Sequence, residues 1–191
     1  MKKIVLLTIL AFSLFSCSSN VDLAIDNPTD TPVIVKIDTL TVEIPARQVV
    51  WVEMGKGEHQ ITLENDSVVK FDFQNSLYMI NPTLSEYLKF EEFYGDAMSQ
   101  AMYKSSIPLQ NVKFLGTEFE GNFEVVKNLI NPVTWDCGPR EALPEMVEVE
   151  EGDNYTTLTK LCDVREFIQM VQSESPAESE EPEMDLESAV E

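Results

Sequence analysis

The chain has 191 residues, a formal net charge of −21, three cysteines and one histidine. Its length fits one domain or two small ones. The negative charge repels phosphate backbones and anionic lipids, which argues against nucleic-acid binding and against direct electrostatic adhesion to a membrane. One histidine forms neither a histidine-rich zinc site nor a histidine relay, and we predict no metal and no cofactor.

The N-terminal segment has the layout of a secretory signal. Lys2 and Lys3 form a positively charged start, and an apolar stretch follows at residues 4–15, just before Cys17. This stretch is too short for a transmembrane helix, which needs about 20 apolar residues. The segment therefore predicts export of the chain. An ordinary signal peptide that happens to contain a cysteine is one interpretation.

A more specific interpretation comes from Leu14-Phe15-Ser16-Cys17. This stretch resembles the lipobox of bacterial lipoproteins, although Phe15 departs from the small or β-branched residue usual there. The resemblance implies that residues 1–16 are removed and that Cys17 becomes an acylated N-terminus. Cys17 is followed by Ser18 rather than by Asp, which resembles lipoproteins that Gram-negative bacteria sort to the outer membrane instead of retaining at the inner membrane. The resemblance thus implies a protein anchored by lipid in a Gram-negative cell envelope, at the outer membrane.

The next part of the chain predicts strands. Residues 17–31 are short and polar, and we assign them to the anchor and tether, with a candidate first strand at 21–25. From residue 32 to 80, short runs rich in Val, Ile, Thr and aromatic residues are separated by turn signals. Apolar and polar residues alternate in several runs, as at 69–74, which predicts strands with one buried face. Their spacing of about ten residues predicts a β-sandwich.

Part of this region is similar to a known kind of module. The runs VIVKID, VEIPA and VEMGKGEHQITLEN within residues 32–80 resemble the PEGA-type β-sandwich modules of bacterial surface proteins. The PEGA tetrapeptide itself is absent. Such modules bind or act as spacers and do not catalyse; for this chain the resemblance implies the sandwich fold alone.

Residues 81–108 are ambiguous and mark a candidate subdivision of the domain. Thr83 and Glu86 have the spacing of a capping box, which predicts a helix over 83–105. The aromatic residues at 87–93 fit a strand, which is the alternative. Residues 109–130 return to a β-like pattern.

The region from 132 to 162 reads as an irregular segment with strands near 146–149 and 155–161. Cys137 and Cys162 form an even pair in an exported chain, and we predict a disulfide between them. Two separate buried thiols are the alternative.

The C-terminal part combines a helix and a tail. Asp163 and Glu166 form a capping box for a helix whose apolar face contains Val164, Phe167, Ile168 and Val171. Residues 174–191 contain many acidic residues and no basic one, which predicts a disordered, solvating tail. A docking strip for a basic partner is the alternative.

Together these patterns predict a mainly β fold of the α+β type. We expect β-sandwich-like antiparallel sheets and one or two helices in a single domain over residues 32–173, followed by the disordered acidic tail. No catalytic motif is present, and adjacent carboxylates such as Glu91 and Glu92 point to opposite faces of a strand. Three aromatic residues are candidates for a binding platform, with core packing as the alternative: Trp51, Tyr78 and Trp135.

The sequence therefore predicts a non-enzymatic binding, accessory or assembly module. It would be held at the membrane through lipid on Cys17 and would bind an unidentified protein or glycan partner. One alternative is a small carboxylate-dependent hydrolase, which needs carboxylates that converge in a pocket. Another is a carbohydrate-binding surface lipoprotein, which needs Trp51 or Trp135 to be exposed.

Overall fold

The computed structural model describes residues 20–150 and 152–174. The predicted signal peptide at 1–16, the lipid on Cys17 and the tail beyond residue 174 lie outside these residues. The described part is mainly β with two helices and several antiparallel sheets, which confirms the predicted fold class.

The strands and helices have the following bounds. The strands are β1 Asn20–Asn27, β2 Val33–Ile37, β3 Leu40–Ile44, β4 Gln48–Gly55, β5 Gly57–Thr62, β6 Val68–Phe73, β7 Leu77–Ile80, β8 Tyr87–Gly95, β9 Gln110–Phe114, β10 Thr117–Gly121, β11 Phe123–Val126, β12 Ile130–Pro132 and β13 Tyr155–Cys162. The helices are α1 Ala97–Ser106 and α2 Val164–Glu174.

The chain divides into two compact units. The first contains the described residues up to Pro82 together with Ile130–Pro132, and the second contains Thr83–Leu129 and the described residues from Val133 onward. The sequence had placed one domain over residues 32–173, with a candidate subdivision near 81–108. The boundary at Pro82 lies at the start of that candidate segment.

Two four-stranded sheets make up the first unit. Their strand orders are β12-β7-β1-β4 and β3-β2-β5-β6, and all pairs are antiparallel except β1 with β7. The alternating residues of these strands form the core, as the pattern predicted. The most deeply buried apolar residues include Val21, Leu23, Ile25, Val35, Ile37, Ile44, Ile61, Phe73 and Ile80. Tyr78 is also buried, and its ring packs edge-on against Phe73 with centroids 5.0 Å apart.

The candidate strand at 21–25 is present as β1, which extends over Asn20–Asn27, so the assignment of residues 17–31 to a tether is wrong for these eight residues. This strand lies between β4 and β7, so most of its residues are buried, including the polar Asp26 and Asn27. The Asn27 side chain organises the neighbouring turns. Its Nδ2 donates to the carbonyl oxygens of Thr31 at 2.8 Å and Ile44 at 3.1 Å, and its Oδ1 accepts from the Thr29 amide at 3.0 Å.

The second unit contains a three-stranded sheet, β11-β8-β13, and the hairpin β9-β10. The predicted helix over 83–105 is wrong in its first half, because β8 occupies Tyr87–Gly95 and pairs with a strand on each side. The helix begins only after Asp96, whose Oδ1 accepts from the Ser99 amide at 2.8 Å. Pairing with two distant strands buries Tyr87 and outweighs the local capping pattern.

The core of this unit is built around Leu88, Phe114 and Cys162, with several partly buried side chains packed against them: Phe90, Phe119, Phe123, Val125, Val164 and Phe167. The predicted strand at 155–161 is present as β13, whereas residues 146–149 form no strand.

The predicted capping box of α2 is confirmed. Asp163 Oδ1 accepts from the Glu166 amide at 3.0 Å, and Glu166 Oε2 accepts from the Asp163 amide at 3.0 Å. Val164 and Phe167 pack against the core as predicted. Ile168 and Val171 are 46% and 48% exposed, so the helix buries only part of its apolar face.

The predicted disulfide is not formed, and both Cys137 and Cys162 are free thiols. Cys162 Sγ lies in the core, 3.5 Å from the carbonyl oxygen of Leu88, and burial raises its pKa to about 12. Cys137 is joined to β13 by its backbone instead, since the Leu161 amide donates to its carbonyl oxygen at 2.9 Å. Backbone pairing, rather than a disulfide, therefore holds Cys137 close to β13.

Candidate functional site

The first candidate surface is the outer side of β4, which we call the β4 edge. All eight residues of β4 pair with β1, and no strand among the described residues pairs with its other side. On that side alternate N–H and C=O groups of an edge strand point away from the sheet. The β4 edge therefore offers backbone donors and acceptors to an added strand.

The side chains of β4 are mostly apolar and incompletely buried. Trp51 is 58% exposed, and four more apolar residues are half-buried: Val49, Val50, Val52 and Met54. Glu53 is the only ionisable side chain in the strand. A long, flat and apolar edge strand is a surface to which another chain adds readily.

The other edges of the first unit carry more protective features than β4, which has one charged residue, Glu53, among eight. β12 is only three residues long and contains Pro132. β6 contains Lys70 and Asp72, and β3 contains Glu43 among five residues. Short length, proline and charge are the means by which proteins block edge-to-edge pairing. The contrast singles out β4.

The second candidate surface is a cavity of about 540 Å³ in the second unit, which we call the polar groove. Its lining includes seven polar side chains: Lys89, Glu91, Gln110, Asn122, Glu124, Thr134 and Thr159. Strand register brings several of these together, because Glu124 is opposite Lys89 and Thr159 is opposite Glu91 in adjacent strands. Lys89 and Glu91 share one face of β8 by alternation.

Hydrogen bonds hold the side chains of the polar groove in place. Glu91 Oε2 accepts from the Tyr103 hydroxyl and from Asn122 Nδ2, the latter at 3.1 Å. Lys89 Nζ pairs with the Glu124 carboxylate and lies 3.4 Å from Thr134 Oγ1. Both carboxylates are thus engaged in the groove wall. Partial burial and the Glu91 carboxylate raise the pKa of Tyr103, so its hydroxyl stays a donor at neutral pH.

Apolar rings lie in and beside the groove. Phe90 and Phe123 line it, and their centroids are 6.5 Å apart. Gly121 makes room for the Phe123 ring, since a Cβ at residue 121 would overlap that ring. Tyr103 also packs on Phe93 and on Tyr155, with centroids 5.3 and 5.7 Å away, which fixes its hydroxyl beside Glu91.

A separate cluster of polar side chains, around Lys160, has a structural role. Lys160 is buried on β13, and its Nζ donates to the carbonyl oxygens of Gly138 at 2.6 Å and Glu141 at 2.7 Å and to Glu166 at 3.1 Å. These three bonds use all three donors of the ammonium group. The cluster joins the loop after Cys137 to α2 and leaves Lys160 no donor for a ligand.

The residues singled out in the sequence have separate positions. Trp51 lies on the β4 edge, Tyr78 lies in the core, and Trp135 is partly buried. The lone histidine, His59, is hydrogen-bonded by Nδ1 to Asp38 at 2.7 Å and by Nε2 to the carbonyl oxygen of Gly55 at 2.8 Å. Glu91 faces the groove, but its partners, Tyr103 on α1 and Asn122 between β10 and β11, were not predicted.

Within residues 20–150 and 152–174, no group of three or more His, Cys, Asp or Glu side chains is arranged to bind a metal ion. No helix in these ranges combines the length and the apolar character needed to cross a membrane. Comparison with protein-family models, curated proteins and solved structures finds no match to this chain.

Proposed function

We propose that the protein is a lipid-anchored lipoprotein of a Gram-negative cell envelope, at the outer membrane, and that it is a non-enzymatic binding module. The observation that supports binding is the β4 edge, which pairs with no further strand among the described residues and where Trp51 is exposed. The anchor is supported by the lipobox-like residues that end at Cys17. Two or more acyl chains on that residue hold a protein at a membrane far more firmly than one.

The partner of the β4 edge is an extended segment of another protein that adds as a further strand. Main-chain hydrogen bonds supply affinity in this mode, and side chains at alternate positions supply specificity. The half-buried Val50 and Val52 favour apolar side chains at every second position of the partner. The net charge of −21 favours a basic segment, and the exposed ring of Trp51 offers a face to a Lys or Arg side chain.

The arrangement of carboxylates favours binding over hydrolysis. A carboxylate-dependent hydrolase needs one carboxyl group as acid and another as base or nucleophile on the two sides of the scissile bond. In the polar groove Glu124 is paired with Lys89, and Glu91 is bonded to Tyr103 and Asn122. Both carboxylates already have partners in the wall.

A site-specific photo-crosslinker tests the binding proposal. Placed at residue 51 of the intact lipoprotein in native envelopes, it should trap a discrete protein adduct through a basic, extended segment identified by peptide mapping. The matched control is residue 40, because Leu40 is exposed on the edge strand β3 of the same unit. Trp51→Lys should abolish capture from a second crosslinker at residue 49, whereas Leu40→Lys should not. Equal labelling at residues 51 and 40 would contradict the proposal.

Fatty-acid labelling tests the anchor separately. The parent chain should incorporate an alkyne-tagged fatty acid and fractionate with membranes, whereas Cys17→Ala should remain unlabelled and unprocessed because it lacks the acceptor thiol. Cys137→Ala is the matched control and should be labelled normally. Undiminished label on Cys17→Ala would refute the anchor and leave the β4 proposal intact.

A further inference from the structure

We infer that the polar groove of the second unit binds a neutral oligosaccharide. This site is distinct from the β4 edge, which belongs to the first unit. The inference depends on four features of the groove: its hydrogen-bonding groups, its apolar wall, its fixed side chains and its charge.

The hydrogen-bonding groups of the groove match hydroxyl groups. Carboxylates accept only, the ammonium donates only, and amide and hydroxyl side chains do both. The groove contains all of these types, in Glu91, Lys89, Gln110 and Thr134. A ligand that both donates and accepts along its length satisfies such a mixed lining. A polyhydroxylated ligand has this property.

Phe90 and Phe123 are half-buried against the core of this unit and give the cavity an apolar part that can contact the C–H groups of a sugar ring. Phe90 and Phe123 meet edge to face at 68° and line one part of the cavity. The volume of about 540 Å³ lies within the range of roughly 300–1,000 Å³ that is usual for small-ligand sites. The cavity is large enough for more than one sugar ring, which is why we expect an oligosaccharide.

The polar side chains are fixed before a ligand arrives. Tyr103 and Asn122 orient Glu91, and Glu124 orients Lys89. Side chains that are already ordered lose less conformational freedom on binding, which raises affinity.

The charge of the groove selects neutral saccharides. Two carboxylates and one ammonium group leave one excess negative charge in the lining, on a chain whose net charge is −21. Sialylated or phosphorylated saccharides would be repelled by this field.

The test measures binding of defined saccharides to the full chain, purified in a detergent that carries no sugar headgroup. The probes are neutral trisaccharides of glucose, galactose, mannose and N-acetylglucosamine, together with a sialylated trisaccharide. Saturation-transfer NMR and titration calorimetry should detect binding of at least one neutral trisaccharide, with contacts to its ring C–H groups. The sialylated probe should bind at least about tenfold more weakly.

Two variants test whether the saccharide binds in the polar groove. Gln110→Ala removes an exposed amide, and Glu91→Gln keeps the shape of the side chain and an acceptor for Tyr103. Each should weaken saccharide binding about tenfold, as expected for loss of one or two hydrogen bonds. Gln172→Ala, on the exposed surface of α2, is the matched control and should bind like the parent, as should Trp51→Lys.

Three outcomes would overturn the inference. The first is the absence of binding to every neutral probe at millimolar concentration. The second is a preference for the sialylated trisaccharide. The third is equal binding by the parent and the folded Gln110→Ala and Glu91→Gln variants. Because Trp51→Lys affects only the β4 edge, failure of this inference is distinguishable from failure of the proposed protein-binding function.

Discussion

Replacement of Asn27 by alanine should destabilise the first unit strongly. Asn27 is buried, and its Nδ2 lies within 3.1 Å of the carbonyl oxygens of Thr31, Ile44 and Pro45. Its Oδ1 also accepts from the amide and hydroxyl of Thr29. The two Nδ2 protons and the Oδ1 lone pairs support about four bonds at once, each with a net contribution of roughly 0.5–1.5 kcal/mol.

We therefore expect Asn27→Ala to lower the free energy of unfolding by about 3 kcal/mol, a change of roughly 150-fold in the folding equilibrium. Asn27→Asp should be at least as harmful at neutral pH, because it places a carboxylate against carbonyl oxygens, and should recover partly in acid. Urea denaturation, with hydrogen exchange of β1 and β3 as the local probe, measures both. Asn65→Ala is the control, because Asn65 is exposed and its side chain accepts one bond, from the Ser67 amide.

If Asn27→Ala cost no more than Asn65→Ala, the reasoning would be refuted. The loop between β1 and β2 would then be held by its backbone and by burial alone.

Three further predictions concern other parts of the fold. The hydrogen bond to Asp38 raises the pKa of His59 above 6.5, and the same bond lowers the pKa of Asp38 below 3.8. The free energy of unfolding of the parent and of His59→Gln, measured by denaturation against pH, should therefore differ most between pH 3.8 and 6.5. This difference should decrease as pH rises through the raised pKa of His59 and as pH falls through the lowered pKa of Asp38. A difference that does not change with pH would contradict the prediction. Gly95→Ala should cost about 1–3 kcal/mol of unfolding free energy, since the new Cβ would lie 2.7 Å from Tyr155 Cβ and overpack the end of β8, and a thermal midpoint equal to that of the parent would exclude the clash. In thiol titration of the native protein Cys162 should react only after denaturation, and mass spectrometry of unreduced peptides should find no bond to Cys137; a linked peptide would disprove the free-thiol arrangement.

Local patterns in the sequence predicted the strands and helices whose apolar residues recur at regular spacing. Strands β2, β5 and β6 follow the alternation of apolar and polar residues, and α2 begins at its capping box. The candidate strand at 21–25 ended short of Asp26 and Asn27, because polar side chains are typical of a loop, whereas both are buried at the end of β1.

Pairing between distant strands explains what the sequence could not predict. Thr83 and Glu86 looked like a capping box, but β8 lies between β11 and β13, where extended backbone is required. The polar groove depends on the same pairings, since Glu124 reaches Lys89 only through the register of β11 and β8. A disulfide between Cys137 and Cys162 was predicted because they form an even pair in an exported chain. In the structure β13 directs the Cys162 side chain into the core instead.

The most direct test of the central claim compares the β4 edge in two states. Hydrogen exchange of the intact lipoprotein is measured in isolated outer membranes and again after purification in detergent, with β3 as the internal reference. If an extended partner segment adds to β4 in the envelope, the outward amides of Gln48–Gly55 should be protected in membranes and should exchange quickly after purification. In the Trp51→Lys variant the same amides should be unprotected in both states. Fast exchange of β4 in native membranes, equal to that of the purified protein, would contradict the proposed function.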